Sequence, residues 1–317
     1  MTRDAPHARL GIFCMLAGMF LISVNDMLIK SLSGGYPLHQ LILLRSAVGL
    51  AFSFGLLQLE GGLGLLRTGK VGLHVLRALL IVVANSAIYA AIVAMPLATA
   101  NAIYFVAPLF VTLLSIPVLG ESVGPRRFAA IGVGFSGVLL MMAPQIGAGE
   151  AGLGWVMVLP VVAAAGYAGM SVLTRKLGAT SRASALAIQL QAAFILVSVV
   201  MYLVAGDGRF AEGTDNESLN FLLRAWVWPH EADFLAIAML GMMSAVVGYL
   251  MSQAYRLSRA SVVAPFEYSL LVYALIWGWT VFGEWPEPAV FAGAVVVIAS
   301  GVYVFLREGR KPPQRRA

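Results

Sequence analysis

The residues able to do chemistry are few, and they stand inside apolar sequence where each is costly. Residues 258–284 read SRASVVAPFEYSLLVYALIWGWTVFGE, a stretch longer than the ~20 apolar residues that cross a bilayer as a helix. It contains Pro265 and Glu267. Proline removes a backbone donor and clashes with the preceding turn, so the helix is expected to kink or open at Pro265. A carboxyl group at membrane depth faces a cavity or a partner rather than lipid. An acid beside a broken helix is how many transporters expose backbone to a solute. A packing kink with a protonated, hydrogen-bonded Glu267 is the plainer reading of the same residues.

Three more ionisable residues lie in or at the edge of apolar segments. Asp26 and Lys30 are four apart with the acid first, so they share a helical face and can pair. Helical rise puts Asp26 ~6 Å below a membrane boundary and Lys30 near it, so Lys30 is also placed to snorkel to water. Arg45 comes out ~10 Å deep in the second segment. It is permanently charged and needs a carboxylate, a cluster of carbonyls or an anionic solute. Gln191 stands at the matching place in the second half of the chain. Asn85 and Tyr89 share one helical face, Asn101 and Tyr104 another, and Tyr249, Ser252 and Gln253 a third. Hydrogen bonding between helices accounts for any one of these. Together they describe a cavity with polar and aromatic walls, suited to a planar or heterocyclic solute.

The elements that must position these groups are membrane helices. The chain has 317 residues, 60% hydrophobic and 11% charged, against ~25% charged in an ordinary soluble domain. Ten apolar segments can be drawn, at 10–32, 38–58, 73–94, 96–119, 127–145, 153–175, 184–206, 233–255, 260–283 and 289–306. The basic residues orient them. Arg67, Lys70, Arg126, Arg127, Arg175, Lys176 and the tail from Arg307 fall on one side, with only Arg209 and Arg224 on the other. Cationic loops stay in the cytoplasm, so both termini are expected inside. The same asymmetry explains the formal charge of +6 without a nucleic-acid partner. Cys14 is the only cysteine, which excludes an intrachain disulfide. The first apolar run contains Asp26 and Lys30 and reads as a retained span rather than a signal peptide.

The chain also repeats itself. Residues 254–284 echo 91–121 at a constant offset of 163, and Gly120-Glu121 matches Gly283-Glu284. Asp26-MLIKSL loosely matches Ser171-VLTRKL. The fold expected is all-α and membrane-integral: ten transmembrane helices as two inverted five-helix repeats, residues 1–145 and 146–317. The second repeat carries an acidic outer loop, 206–232, and a basic cytoplasmic tail. Trp226 and Trp228 of that loop are expected at the membrane interface, and Asn216-Glu-Ser218 spells a glycosylation sequon.

Several motifs fail on context. Residues 132–137 spell G-x-G-x-x-G, but no strand precedes them, and small residues at this spacing let membrane helices pack closely. Residues 64–70 fall one short of a phosphate-binding loop, and Val71 stands where a magnesium ligand belongs. His7, His39, His74 and His230 have no zinc-ligand spacing. No nucleophile, base and orienting acid cluster on one loop, so an integral-membrane enzyme is the distant alternative. No cofactor or metal is expected.

The halves, the Gly-Glu ends, residues 97–114 (LATANAIYFVAPLFVTLL) and residues 260–271 (ASVVAPFEYSLL) resemble the drug/metabolite transporters of the EamA type over essentially all ten segments. Asp26, Lys30, Arg45 and the run Pro265-Phe-Glu-Tyr268 resemble the subgroup of S-adenosylmethionine and riboflavin uptake transporters. The resemblance implies a central cavity lined by helices 1, 3, 4, 6, 8 and 9, with Tyr268 among its candidate residues, working by alternating access in the cell inner membrane. Its partners would be a small organic solute, the lipid bilayer and protons. Export of a metabolite, amino acid or drug is the alternative within the superfamily. Solute, direction and oligomeric state, a homodimer included, stay open.

Overall fold

The computed structural model describes residues 5–66, 70–120, 124–147, 155–177, 183–214, 216–257 and 263–308. Among them every regular element is a helix: α1 (Ala5–Leu32), α2 (Leu38–Glu60), α3 (Val71–Ala94), α4 (Leu97–Tyr104), α5 (Ala107–Leu119), α6 (Pro125–Gly147), α7 (Val158–Leu177), α8 (Ala183–Ala205), α9 (Glu217–Leu223), α10 (Phe234–Leu257), α11 (Ser269–Phe282) and α12 (Pro288–Glu308), with short 3₁₀ turns between some of them. Seven helical stretches are long and apolar enough to cross a membrane. Three shorter apolar ones are Phe128–Pro144, Phe266–Phe282 and Pro288–Val304.

Helix limits follow local chemistry. Pro37 and Pro96 precede α2 and α4, and Pro125 and Pro288 open α6 and α12, where a missing N–H costs nothing. Gly120 and Gly283 end α5 and α11 at φ 70° and 66°, left-handed positions that favour glycine. The segment expected as one helix over 96–119 is broken: Phe105 and Val106 form a turn between α4 and α5. The cause is Pro108, which has no N–H for the Tyr104 carbonyl. Ala264–Tyr268 forms a 3₁₀ turn ahead of α11. These two breaks meet, with the rings of Phe105 and Tyr268 4.9 Å apart.

The bundle exposes many large apolar side chains in addition to its buried apolar core, while several polar ones lie inside. Phe52, Leu79, Leu139, Leu196, Leu203, Val272, Trp279 and Val295 are exposed, while Ser23, Asn25, Asp26, Arg45, Thr99 and Asn101 are buried. A protein in water would not expose so much apolar surface. Helix α1 packs on α10, α3 on α7, α2 on α8, α5 on α7, α1 on α11, and α6 on α12. Small residues permit the closest approaches: a Cβ on Gly137 would lie 2.9 Å from the Gly293 carbonyl oxygen across α6 and α12. In the same pair Ser300 Oγ donates to Ala130 O at 2.5 Å. Gly134 and Gly137 thus act in helix packing, whereas a Cβ on Gly132 would meet open space.

Residues 216–233 are fastened across one end of the bundle. Gln40 Nε2 donates to Val227 O at 2.6 Å, and Val227 N returns a bond to Gln40 Oε1 at 3.2 Å. Ser218 Oγ donates to Ala90 O at 2.7 Å, and Arg224 donates to the Ser33 and Gly34 carbonyls. Tyr36 donates to Asp233 Oδ2 at 2.6 Å and accepts from His230 N at 2.9 Å. Burial and the Asp233 carboxylate push the Tyr36 hydroxyl above the usual tyrosine range, which keeps it a donor. Asn216 caps α9 by accepting from Leu219 N at 3.0 Å. Trp228 is 84% exposed, whereas Trp226 tucks against Tyr202 and His39.

Candidate functional site

Four helices meet at Arg45. Its guanidinium donates to Tyr89 Oη at 2.9 Å, Tyr89 donates to Asn25 Oδ1 at 3.2 Å, and Asn25 Nδ2 donates to Leu240 O at 3.4 Å. This chain of bonds ties α2 to α3, α1 and α10. Close approach of α10 is allowed by Gly241, where a Cβ would sit 3.0 Å from the Arg45 carbonyl oxygen. The guanidinium also lies 5.6 Å from the Tyr89 ring centre and 5.4 Å from that of Phe194, within cation–π range. Arg45 is only 7% exposed. Of its five N–H groups, the one toward Tyr89 is hydrogen-bonded among the described residues. The rest remain for an acceptor.

Asp26 lies beside this chain. It is buried, its carboxyl group is in hydrogen-bonding reach of the Asn101 side chain, and the charge of Arg45 acts on it through space. Asn101 also donates to Leu97 O at 3.1 Å in its own helix. Tyr104 sits within electrostatic reach of Asp26, Tyr89, Tyr167 and Glu267, with its ring 5.9 Å from that of Tyr167. Glu267 in turn acts on Tyr167 and Tyr268. Asp26, Arg45, Asn101, Tyr104 and Glu267 are therefore neighbours, although they come from four different segments.

Lys30 belongs elsewhere. The expected pairing with Asp26 within α1 does not form, and the side chain does not run out to water. Lys30 Nζ meets Glu284 Oε1 at 2.6 Å and donates to Met95 O at 2.8 Å. Glu284 Oε2 accepts from Leu97 N at 3.1 Å, and the Phe282 ring lies 5.2 Å from the ammonium. The last turn of α1 is brought against the end of α11 and the α3–α4 junction, which puts a carboxylate and a carbonyl closer than Asp26.

The other candidates divide. Asn85 is half-buried and bonds Ile81 O at 3.3 Å in its own helix. Tyr249 is 56% exposed and Gln253 partly so, both on α10, and neither is hydrogen-bonded to the Arg45 cluster among the described residues. Tyr268 turns to α12: it is buried against Phe105 and Gly301. Sequence reasoning passed over Asn25, Tyr167, Phe194 and the role of Glu284. Tyr167 and Ser171, four apart and within hydrogen-bonding reach, were the only pattern that could have pointed to α7. Arg77, inside the apolar segment drawn over 73–94, is buried in α3 and donates to Leu186 O at 2.8 Å.

The EamA-like transporter family matches residues 9–143. A riboflavin transporter of Rhizobium johnstonii is 29% identical, over 83% of this chain and 81% of its own. An S-adenosylmethionine uptake transporter of Rickettsia prowazekii is 23% identical, over 94% and 93%. The pseudopaline exporter CntI of Pseudomonas aeruginosa is 25% identical, over 92% and 94%. A solved crystal structure shares the fold, with TM-score 0.62 and 18% identity, covering 97% of this chain and all of its own. Residues 9–143 thus match the EamA-like transporter family, and over most of its length the chain is similar to a riboflavin transporter and an S-adenosylmethionine uptake transporter.

Proposed function

We propose that this protein is a secondary transporter of the drug/metabolite superfamily that takes up a small planar metabolite, riboflavin or S-adenosylmethionine being the chemistry to test first. The observation that carries the proposal is Arg45: buried, flanked by two aromatic rings and hydrogen-bonded through one N–H. A flavin offers carbonyl acceptors and a flat face, and S-adenosylmethionine offers a carboxylate and a purine. Either suits a guanidinium in aromatic walls. Export is the second reading, favoured by the similarity to the pseudopaline exporter.

We read the ten apolar segments as ten spans in two inverted repeats, 1–145 and 146–317, in the cell inner membrane with both termini cytoplasmic. The contacts support this arrangement. Moving by 163 residues turns the pair Ala130 and Ser300 into Gly293 and Gly137, the other close contact of α6 with α12. Phe105 becomes Tyr268, its own ring partner. The packing of α1 on α10 likewise corresponds to that of α7 on α3. In such a design Lys30–Glu284 fastens one end of the cavity. The matching positions, Arg175 and Glu121, would fasten the other in the alternate state; Glu121 lies outside the described residues. Labelling checks the topology. In a Cys14→Ala background, cysteines at Gly124 and Gly213 react from opposite faces of sealed vesicles if the ten-span reading holds.

Glu267 is the candidate coupling acid, with Asp26 beside it. A carboxyl group among three tyrosines at the repeat interface can take a proton on one side and release it when the cavity opens to the other. In proteoliposomes loaded with riboflavin or S-adenosylmethionine, the wild type should exchange solute between equal pools and accumulate it down a pH gradient. Glu267→Gln mimics the protonated acid, so exchange should survive and gradient-driven accumulation should be lost. Normal accumulation by that variant would remove Glu267 from coupling. Failure of the wild type to exchange any panel metabolite would sink the transport reading.

A further inference from the structure

An open groove runs along the seam of α6 and α12, on helices that take no part in the Arg45 cluster. It measures about 540 Å³, and its walls include Arg126, Ala129, Val133, Val295, Ala299 and Tyr303. The two helices are antiparallel here, since Ala130 meets Ser300 and Gly137 meets Gly293. Arg126 and Tyr303 therefore share one end of the groove, and Val133 and Val295 share the other. Ala129 and Ala299 are exposed and too small to fill the space between the larger side chains. The hydroxyl of the floor, on Ser300, already donates to the Ala130 carbonyl. An apolar occupant strands no donor there.

Length and charge define what the groove can accept. Helical rise gives ~10 Å from Arg126 to Val133 and ~12 Å from Val295 to Tyr303. One leaflet of a bilayer has a hydrocarbon depth of ~15 Å. The groove thus covers most of one leaflet. Its charged end is the exposed Arg126, in the first turn of α6. A guanidinium takes phosphate in a planar fork, and a phospholipid carries a phosphate above an alkyl chain. We propose that the α6–α12 groove is a binding site for an anionic phospholipid, with an acyl chain along Ala129, Val133 and Ala299 and the phosphate on Arg126.

A second copy of the chain fits the same groove less well. A two-fold axis along the membrane normal would set the Arg126 residues of both copies at one depth across the interface. Like charges so placed oppose docking. An anionic headgroup neutralises the same charge.

Native mass spectrometry tests the proposal on the full-length protein in detergent, titrated with phosphatidylglycerol or phosphatidylethanolamine of identical chains. Phosphatidylethanolamine carries its own ammonium, so phosphatidylglycerol should fill the first site at about fivefold lower concentration, the effect of one arginine at an anionic headgroup. Arg126→Gln should make the two lipids equal, whereas Arg209→Gln, which alters an exposed arginine elsewhere, should leave the preference intact. Ala299→Trp, which fills the groove from an exposed position, should weaken both lipids at least severalfold. In nanodiscs, phosphatidylglycerol with a diazirine on one chain should mark residues 129–133 and 295–299, and Ala299→Trp should abolish those adducts. An unchanged preference in Arg126→Gln would overturn the headgroup assignment. Adducts spread evenly over the lipid-facing helices, and unchanged in Ala299→Trp, would overturn the groove. Dimers that vanish in Ala299→Trp, without lipid adducts in the wild type, would give the groove to a second copy and overturn the lipid.

Discussion

Lys30 and Arg45 are both cations inside apolar helices of the first half, and the structure treats them in opposite ways. Lys30 is neutralised: a carboxylate at 2.6 Å, a carbonyl at 2.8 Å and an aromatic ring surround it. Arg45 receives a tyrosine hydroxyl and two rings, and no carboxylate among the described residues pairs with it within 4 Å; Asp26 acts on it only through space. A buried cation with a full set of partners is a structural fastening. One with donors to spare is kept for a ligand, because leaving them unfilled costs stability that nothing within the fold returns. Under the proposed function, the difference would place Lys30 at closure of the cavity end and Arg45 at the solute.

That contrast can be broken by substitution, and the largest effect is expected at Arg45. A hydrogen bond to a charged group contributes ~1.5–3 kcal/mol, so Arg45→Gln should weaken metabolite transport by about 10- to 100-fold. Arg45→Lys should fare little better, since an ammonium cannot reproduce the planar fork. Melting temperature should change little in either, because Arg45 makes few bonds to the fold. A large loss of stability with intact transport in the surviving protein would reverse the roles of the two cations.

At Lys30 the expected order is inverted. Lys30→Met strands Glu284, which keeps 25% of its side chain exposed, so the loss is about 1–2 kcal/mol of stability, below that of a fully buried pair. Metabolite affinity should hold within a few-fold. The exchange Lys30→Glu with Glu284→Lys should recover part of the stability, as the ion pair reforms with reversed polarity. No recovery would mean that the Met95 and Leu97 backbone contacts, rather than the pair, fasten this end. A smaller effect sharpens the picture at the cluster itself. Tyr89→Phe removes the hydroxyl that joins Arg45 to Asn25 but keeps the ring, so it should cost ~0.5–1.5 kcal/mol and shift metabolite affinity only a few-fold.

Much of this was legible in the sequence, for physical reasons that also mark where legibility ends. Apolar runs and the prolines and glycines that bound them gave helix limits within a few residues, as at α2, α3 and α12. Local chemistry sets those limits. The break at Phe105 was not anticipated, because the apolar run continues on both sides of Pro108 and apolar length alone does not show where a missing N–H opens the helix. Arg45, Asp26 and Asn101 stood out because polar groups are rare at membrane depth. Their partners did not: the Lys30–Glu284 pair joins residues far apart in the chain, and no periodicity encodes how two helix ends meet. Phe194 is an aromatic residue in an apolar helix, indistinguishable in sequence from lipid-facing ones, and Tyr167 is set apart only by Ser171 four residues on. Tyr268 shows the reverse, a residue in a conspicuous motif whose side chain packs against Phe105 and Gly301.

The most direct test of the account is equilibrium binding of the transported metabolite to three proteins in detergent: the wild type, Lys30→Met and Arg45→Gln. Ligand-induced rise in melting temperature reports it without assuming direction or coupling. The account predicts similar rises for the wild type and Lys30→Met over their own baselines. Arg45→Gln should need at least about tenfold more metabolite for the same rise. Equal rises in the wild type and Arg45→Gln, with the rise lost in Lys30→Met, would contradict it.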